Sequence, residues 1–531
     1  MTLTIQRFRF LLADDRSLYG VTADGRLLWY PAWTGAATPP KVEDGRQIGV
    51  GWGDFVHLIL ALPCHLWPDR AFLPRGGSRR RGAMDGTLGD GWEGELGRWL
   101  EPFVARLGRK EQRRWAPFYV KGLILPGERK SVEPMAARVA PGDLQQLHHF
   151  VSTSPWATAP LEDELAKAAD RLVGGPEAVL VIDDTALVKQ GRHSVGVKRQ
   201  YCGQLGKKAN CQSLVSLTLA RAEVPVGVGL RLFLPEDWCA DAARRAAVGV
   251  PEAVGYRPKW KIALDEIDRV LASGARFGWV LADAEYGKAG EFRAGLAGRR
   301  LAYAVGILPT QKVYPADVTL AFPERKGTGR PRKHPVPSAA SVSAAELVES
   351  RPAAFRAVSW RTGTKGPLQA EFAAVRVRVA DGPADARGRH LPGEEAWLVG
   401  ERRATGERKY YLSNLPPDAT LERLAALIKA RWVCEQLHQQ LKDELGLDHF
   451  EGRSWRGLHH HALLCLLALA FLQHLRLGGE KNRGGRARTA APAEPARRAP
   501  RDRGRTDPRA PLLPALSAAL RAPPPAMKVA G

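Results

Sequence analysis

Three acidic residues stand where they could do chemistry. Asp183 follows the apolar run in V-L-V-I-D-D-T, Asp283 follows the run in W-V-L-A-D-A-E-Y-G, and Glu435 lies inside R-W-V-C-E-Q-L-H-Q-Q-L-K. The two Asp sit at what read as strand ends, and the Glu sits in a helical pattern. Carboxylates delivered from strand ends and a helix are what a two-metal phosphoryl-transfer site requires. Asp184 is the alternative to Asp183, because Val181 and Ile182 are both apolar and strand alternation does not choose between them.

The elements that must hold these acids can be read in order. Leu96, Trp99, Leu100, Phe103, Val104 and Leu107 recur at helical spacing. Pro102 inside that run argues for a kink or a late start. Further helices are expected near 114–125, 130–138, 142–151 and 160–173. Next come a buried strand at Val179–Ile182, a hairpin of Ser213–Ala220 with Val226–Leu234, and a helix at Trp260–Ala272. A strand at Phe277–Ala282, a helix at Ala289–Ala297 and a strand at Leu301–Val305 follow. Three strands, a helix, a strand, a helix and a strand give a ribonuclease-H-like order.

Residues 311–415 break that order with strand-like runs at Arg356–Arg361, Glu371–Val379, Ala396–Glu401 and Lys409–Leu412. Helical pattern returns at Leu421–Leu445 and stops at Gly446. On one continuous helix, Arg431, Glu435 and Lys442 fall within about 40° of one another and form one polar stripe. A solvated, salt-bridged helix face is the competing reading of that stripe. The expected fold class is therefore α/β: a ribonuclease-H-like mixed sheet interrupted by a β-rich insertion and preceded by an all-α domain.

Composition narrows the partner. The 531 residues exceed one compact core. Net charge is +23, of which residues 481–531 supply +9, so the basicity belongs to the whole chain. Such an excess favours nucleic acid over a membrane. The six Cys form no C-x-x-C pair, which fits a reduced, cytoplasmic protein. No signal peptide is evident, and the apolar run Ala462–Leu472 is too short to span a bilayer, so it reads as a buried helix.

Before Met84 the chain differs. Leu11–Leu60, with a turn at Ala23-Asp24-Gly25, resembles one repeat of a tachylectin-type β-propeller lectin. One repeat cannot bury its own faces, so carbohydrate binding is not expected. The organisation anticipated is residues 1–60 as this fragment, 61–83 as linker and 84–175 as a helical domain, either a reader of DNA ends or a structural cap. Residues 176–310 form the first part of the core, 311–415 the β insertion, 416–477 the last core helices and 478–531 a basic, disordered tail.

The acids and their surroundings resemble the DDE insertion-sequence transposases, in the subgroup with a Tyr-x2-Arg-x3-Glu-x6-Lys signature. Arg431-x3-Glu435-x6-Lys442 matches its last three terms, with Ile428 where the Tyr is expected. Asp183-Asp184-Thr185, Asp283-Ala-Glu-Tyr-Gly287, S-V-G-V-K-R-Q-Y-C-G-Q-L-G-K (194–207) and K-Y-Y-L-S-N-L-P (409–416) are also family-like. The resemblance implies a nucleoid-associated bacterial transposase that cuts double-stranded DNA at terminal inverted repeats and joins it to a target. It further implies a homodimer in the DNA complex and two Mg²⁺ ions, for which Mn²⁺ can substitute, held by Asp183, Asp283 and Glu435. Arg431 and Lys442 would grip phosphates, and Trp360 would stack on a flipped base, with a core Trp as the competing reading. Lys198, Arg199 and Lys207 lie in a basic loop that reads either as a DNA-backbone contact or as a solvated loop. A catalytically inactive or domesticated DNA-binding descendant is the alternative. Gly-Arg-Pro-Arg-Lys (329–333) resembles a minor-groove AT-hook core, with a flexible basic loop as the competing reading. The run His459-His460-His461 is read as helix surface beside Trp455 rather than a metal site.

Overall fold

A computed structural model of the chain divides into two units, Met1–Arg80 and Arg81–Gly531. The structure describes residues 8–13, 17–22, 27–31, 46–49, 91–322, 334–363, 366–385 and 388–488. The expected linker, Met84, the 329–333 motif and the tail beyond Arg488 lie outside the described residues. In the first unit β1 (Phe8–Ala13), β2 (Ser17–Thr22), β3 (Leu27–Pro31) and β4 (Arg46–Gly49) form an antiparallel sheet in chain order. The anticipated hairpin is β2–β3, in register from Ser17↔Pro31 to Val21↔Leu27.

The second unit opens with α1 (Trp92–Val104), α2 (Lys110–Ile124), α3 (Val132–Val139), α4 (Leu144–Ser152) and α5 (Ala159–Val173). The apolar stripe of α1 is its buried face: Leu96, Leu100 and Phe103 are in the core, as is Leu107 beyond the helix. Pro102 sits in the last turn, so α1 does not start late.

The central sheet follows. It comprises β5 (Val179–Val188), β6 (Lys198–Cys202), β7 (Lys207–Arg221) and β8 (Val224–Leu232). Then α6 (Glu236–Ala240), α7 (Ala242–Ala247) and α8 (Lys259–Ala272) lead to β9 (Trp279–Ala282), and α9 (Ala284–Gly287) and α10 (Gly290–Gly298) lead to β10 (Ala302–Ile307). The spatial order is β8-β7-β5-β9-β10. β5, β9 and β10 are parallel and β7 is antiparallel to β5. This is the ribonuclease-H-like order. Both faces are covered, which is why β5 and β9 read as unbroken apolar runs. Leu180, Ile182, Val280 and Ala282 join the core shared with the helices of residues 92–173 and with α8, whereas Val179, Val181, Trp279 and Leu281 face a second apolar cluster.

The insertion extends this sheet rather than forming a layer of its own. Its elements are β11 (Lys312–Pro315), β12 (Leu320–Ala321), β13 (Val336–Pro337), β14 (Val342–Ser343), α11 (Ala344–Glu349), β15 (Arg356–Gly363), β16 (Gly366–Val379), β17 (Glu395–Arg402) and β18 (Arg408–Ser413). β18 pairs antiparallel with β10, and β17, β16, β11 and β14 continue outward from it. Only β12 and β13 form a separate ribbon.

The helix expected at Leu421–Leu445 is three pieces, a correction with a local cause. It divides into α12 (Leu421–Ala430), α13 (Val433–Gln439) and a π-helical turn at Gln440–Glu444. At the first junction Cys434 N–H and Glu435 N–H bond back three residues, to Arg431 and Trp432. At the second, Leu445 N–H reaches five residues back to Gln440. Glu435 stays one turn from Arg431, but Lys442 leaves their stripe.

The last helix, α14 (Trp455–Arg488), continues past the expected start of the tail. Its residues Ala462–Leu472 are buried as anticipated, against β8, α2, α4 and α5. The histidine run, expected on the surface, is buried with them. His460 lies flat on Trp156, with ring centroids 3.5 Å apart, and bonds the Val151 and Trp156 carbonyls. His461 bonds the Tyr119 hydroxyl at 2.9 Å. From Gly457 to Leu472 α14 is enclosed by β8, α2, α4 and α5, so this stretch has no solvent face to offer these rings.

One buried ion network ties the helical part to the sheet. Arg231 on β8 donates to Glu162 of α5 and, at 2.6 Å, to Glu266 of α8, which also accepts from Arg269. Glu162 and Glu266 are buried, so removing Arg231 leaves two carboxylates to share Arg269. Arg231→Met is expected to destabilise the protein by about 3–5 kcal/mol, measured by urea unfolding.

Candidate active site

β5 and β9 run parallel, with Ile182 and Ala282 in register. The next residue on each chain is Asp183 and Asp283. Neighbouring strands lie about 4.8 Å apart, so the two carboxylates start side by side. β5 continues to Val188, so Asp183 marks the end of pairing with β9 rather than the end of its strand.

Side chains alternate along a strand, and that separates the adjacent acids. Asp183 shares the face of Val179 and Val181, which α12 and α13 cover. Its Oδ2 accepts from Arg431 Nη1 at 2.6 Å and from the Cys434 thiol at 3.0 Å. Arg431 Nη2 donates to Glu435 at 2.7 Å. Arg431 thus bridges the first acid and the third. Asp184 takes the opposite face, where Lys259 of α8 ion-pairs with it and the Tyr286 hydroxyl donates at 2.6 Å.

Asp283 caps α9, accepting from the Glu285 and Tyr286 amides at 2.9 and 3.3 Å. Burial, then the nearby Asp183 charge, push its carboxyl up to about 6 against the pull of Arg431. Burial likewise pushes Asp184 up, although Lys259 and Tyr286 bond it. Burial raises the Cys434 thiol well above its ordinary value and lowers His438 to about 4, leaving that ring neutral beside Ser216 at 2.8 Å.

The turn after Asp283 depends on a close backbone approach. A Cβ on Gly287 would lie 1.9 Å from the Gly306 carbonyl oxygen of β10. Gly287→Ala is expected to force α9 off β10, costing about 1–3 kcal/mol and misplacing Asp283. A lowered melting temperature together with lost activity would report this.

The other expected site residues are distributed as follows. Lys442 is buried and donates to Gln204 at 3.1 Å, in the turn between β6 and β7. Lys198 pairs with Asp237 at 3.0 Å, while Arg199 and Lys207 are exposed. Trp360 is half-buried, with Phe372 edge-on at 6.0 Å and Lys429 4.6 Å from its ring centroid. Both neighbours pack against that ring at the second apolar cluster. Sequence reading missed Cys434, Lys259 and Tyr286. Cys434 and Tyr286 lie inside the motifs that flagged Glu435 and Asp283.

Residues 102–367 match the family model described as DDE superfamily endonuclease. The chain belongs to this family. The matched span includes Asp183 and Asp283 and ends before Glu435. The chain is also similar to a probable transposase for insertion sequence element IS701 from Microchaete diplosiphon, 32% identical over 170 residues. That alignment covers 32% of this chain and 42% of the relative, so the chain spans less than half of the relative's length. Among solved structures, a cryo-EM structure of a piggyBac transposase synaptic complex with hairpin DNA aligns with 76% of this chain and 80% of its own, at 11% identity and a TM-score of 0.38.

Asp183, Asp283 and Glu435 offer only carboxylate oxygens, the hard donors that Mg²⁺ and Mn²⁺ prefer. As they stand, no three His, Cys, Asp or Glu side chains among the described residues converge tightly enough to hold an ion. Arg431 holds the positive charge there. One guanidinium serves crowded acids, of which Asp283 is held toward its neutral form. A donor set short of positive charge fits a divalent cation.

Proposed function

We propose that this DDE-family protein is a DNA transposase that recognises terminal inverted repeats, cleaves DNA strands there and transfers them to a target. The supporting observation is the side-by-side origin of Asp183 and Asp283 from register-paired strands, with Glu435 brought to Asp183 through Arg431. Asp183, Asp283 and Glu435 would hold Mg²⁺ or Mn²⁺, and Asp184 would not, being engaged by Lys259 and Tyr286. Metal bound there would activate the attacking oxygen and stabilise the leaving one.

The chain's own residues supply the rest. Cys434 and Arg431 orient the Asp183 carboxylate. The Glu285 and Tyr286 amides fix Asp283. Arg431, once released by bound cations, is placed to meet a phosphate beside Glu435. The net charge of +23 favours DNA over a neutral substrate. The helices between Trp92 and Val173 are the proposed reader of the DNA end, in a homodimer that joins two ends in the bacterial cytoplasm. The strands of residues 8–49 have no part in this reading.

End-labelled duplex carrying the flanking terminal repeats, incubated with Mg²⁺ or Mn²⁺, tests it. Nicking at the repeat end by the wild type, lost in Glu435→Gln, is the expected result. DNA binding without metal-dependent nicking would instead identify an inactive descendant.

A further inference from the structure

The hairpin of β6 and β7 has a face that the catalytic reading leaves unused. Between Lys189 and Cys211 the chain carries five Lys or Arg and no acid. In the β6–β7 register Tyr201 opposes Lys208 and Arg199 opposes Asn210. Alternation puts Arg199, Tyr201 and Lys208 on one face and Cys202 and Cys211, both buried, on the other. Opposed side chains in such a ribbon start about 5 Å apart, so the aromatic ring lies between two cations.

Tyr201 is 68% exposed, more than any other large apolar side chain among the described residues. Leu205, at the turn, is 42% exposed. No side-chain hydrogen bond or ion pair joins Arg199, Tyr201 or Lys208 to other described residues, whereas Lys198 on the opposite face pairs with Asp237. The turn is nonetheless anchored, because Gln204 accepts from Lys442 at 3.1 Å. Lys442 is seven residues past Glu435, in the π-helical turn that follows α13. The β6–β7 turn is therefore tied to the segment that follows Glu435.

We propose that Arg199, Tyr201 and Lys208 form a stacking site for an unpaired DNA base, the ring taking the base and the two cations its flanking phosphates. The proposal rests on the DNA reading above and goes further, naming the ligand as single-stranded DNA. A duplex hides its base faces in the stack, so an exposed ring between cations finds its full surface only on an unpaired base.

The test uses the full chain and an oligonucleotide containing 2-aminopurine, as a single strand and as a duplex. Wild type should bind the single strand and quench the aminopurine. Tyr201→Ala should lose about five- to hundred-fold in single-strand affinity, together with the quenching. Tyr201→Phe should keep both, and duplex affinity should be the same in all three. Replacing Arg199 and Lys208 together by Ala should lower the salt slope of single-strand binding by about 1.4. Tyr201→Ala binding and quenching like wild type would overturn the stacking site alone. Equal losses on single strand and duplex would overturn it too, marking a backbone contact. Wild type that binds neither DNA would overturn the DNA reading and the stacking site with it.

Discussion

Asp283→Asn is expected to abolish strand cleavage and, in chelator-containing buffer at neutral pH, to raise the melting temperature. Loss of activity follows if Asp283 holds metal, since such a contribution is worth several kcal/mol, roughly a thousand-fold in rate. The gain in stability follows from the same carboxylate's surroundings. Burial and Asp183 hold Asp283 at about 6, above an exposed Asp, so the native state binds this proton more tightly than the unfolded chain. Stability therefore falls as pH rises between about 4 and 6 and stays lower above that window. The rise to about 6 corresponds to about 3 kcal/mol, or several degrees in a protein of this size. Asn keeps an oxygen to accept from the Glu285 and Tyr286 amides, so the cap of α9 survives. Thermal melts at pH 4 and pH 7 check this: the variant should gain at pH 7 and not at pH 4. A variant less stable than wild type at pH 7 would contradict the electrostatic account.

Arg431→Gln should tighten Mn²⁺ binding by the DNA-free protein, by about ten-fold or more. In the structure the guanidinium donates to Asp183 and Glu435, occupying oxygens a metal would use. At an effective dielectric near 20, a guanidinium about 5 Å from a divalent ion opposes it by several kcal/mol. Arg431 is a quarter exposed and can swing toward solvent, so only part of that repulsion shows in wild type. Gln removes the charge and keeps a donor. Mn²⁺ titration followed by electron paramagnetic resonance reads the effect. Unchanged affinity would mean that Arg431 does not compete for these carboxylates. Cleavage by Arg431→Gln should fall despite the tighter metal, because the phosphate loses its cation.

Much of this arrangement was legible in the chain, for identifiable reasons. The main strands and helices from Val179 to Ile307 were readable because those strands are apolar runs bounded by turn or helix signals and α8 shows its period, whereas the polar strand β6 and the short helices α6, α7 and α9 were not. Asp183 and Asp283 were visible as the first polar residues after such runs. The choice between Asp183 and Asp184 was not, because a strand covered on both faces shows no alternation. It needed the positions of Lys259, Tyr286 and Arg431, all distant in sequence. The break at Arg431–Trp432 and the π turn at Gln440–Glu444 were hidden as well. Neither uses Gly or Pro, and both come from tertiary packing on a pattern that reads as continuous helix. His459, His460 and His461 misled for the opposite reason. Polar residues usually mark a helix surface, and their burial depends on backbone carbonyls from Val151, Trp156, Gly446 and Trp455 that no local pattern announces.

The central claim is that Asp183, Asp283 and Glu435, and not Asp184, hold the metal that cuts DNA. Counting Mn²⁺ bound per chain in complex with terminal-repeat DNA, alongside cleavage, tests it most directly. Wild type and Asp184→Asn should bind the same number of ions, and Asp183→Asn, Asp283→Asn and Glu435→Gln should each bind fewer and cut nothing. Full occupancy and cleavage in Asp183→Asn, with both lost in Asp184→Asn, would contradict the assignment.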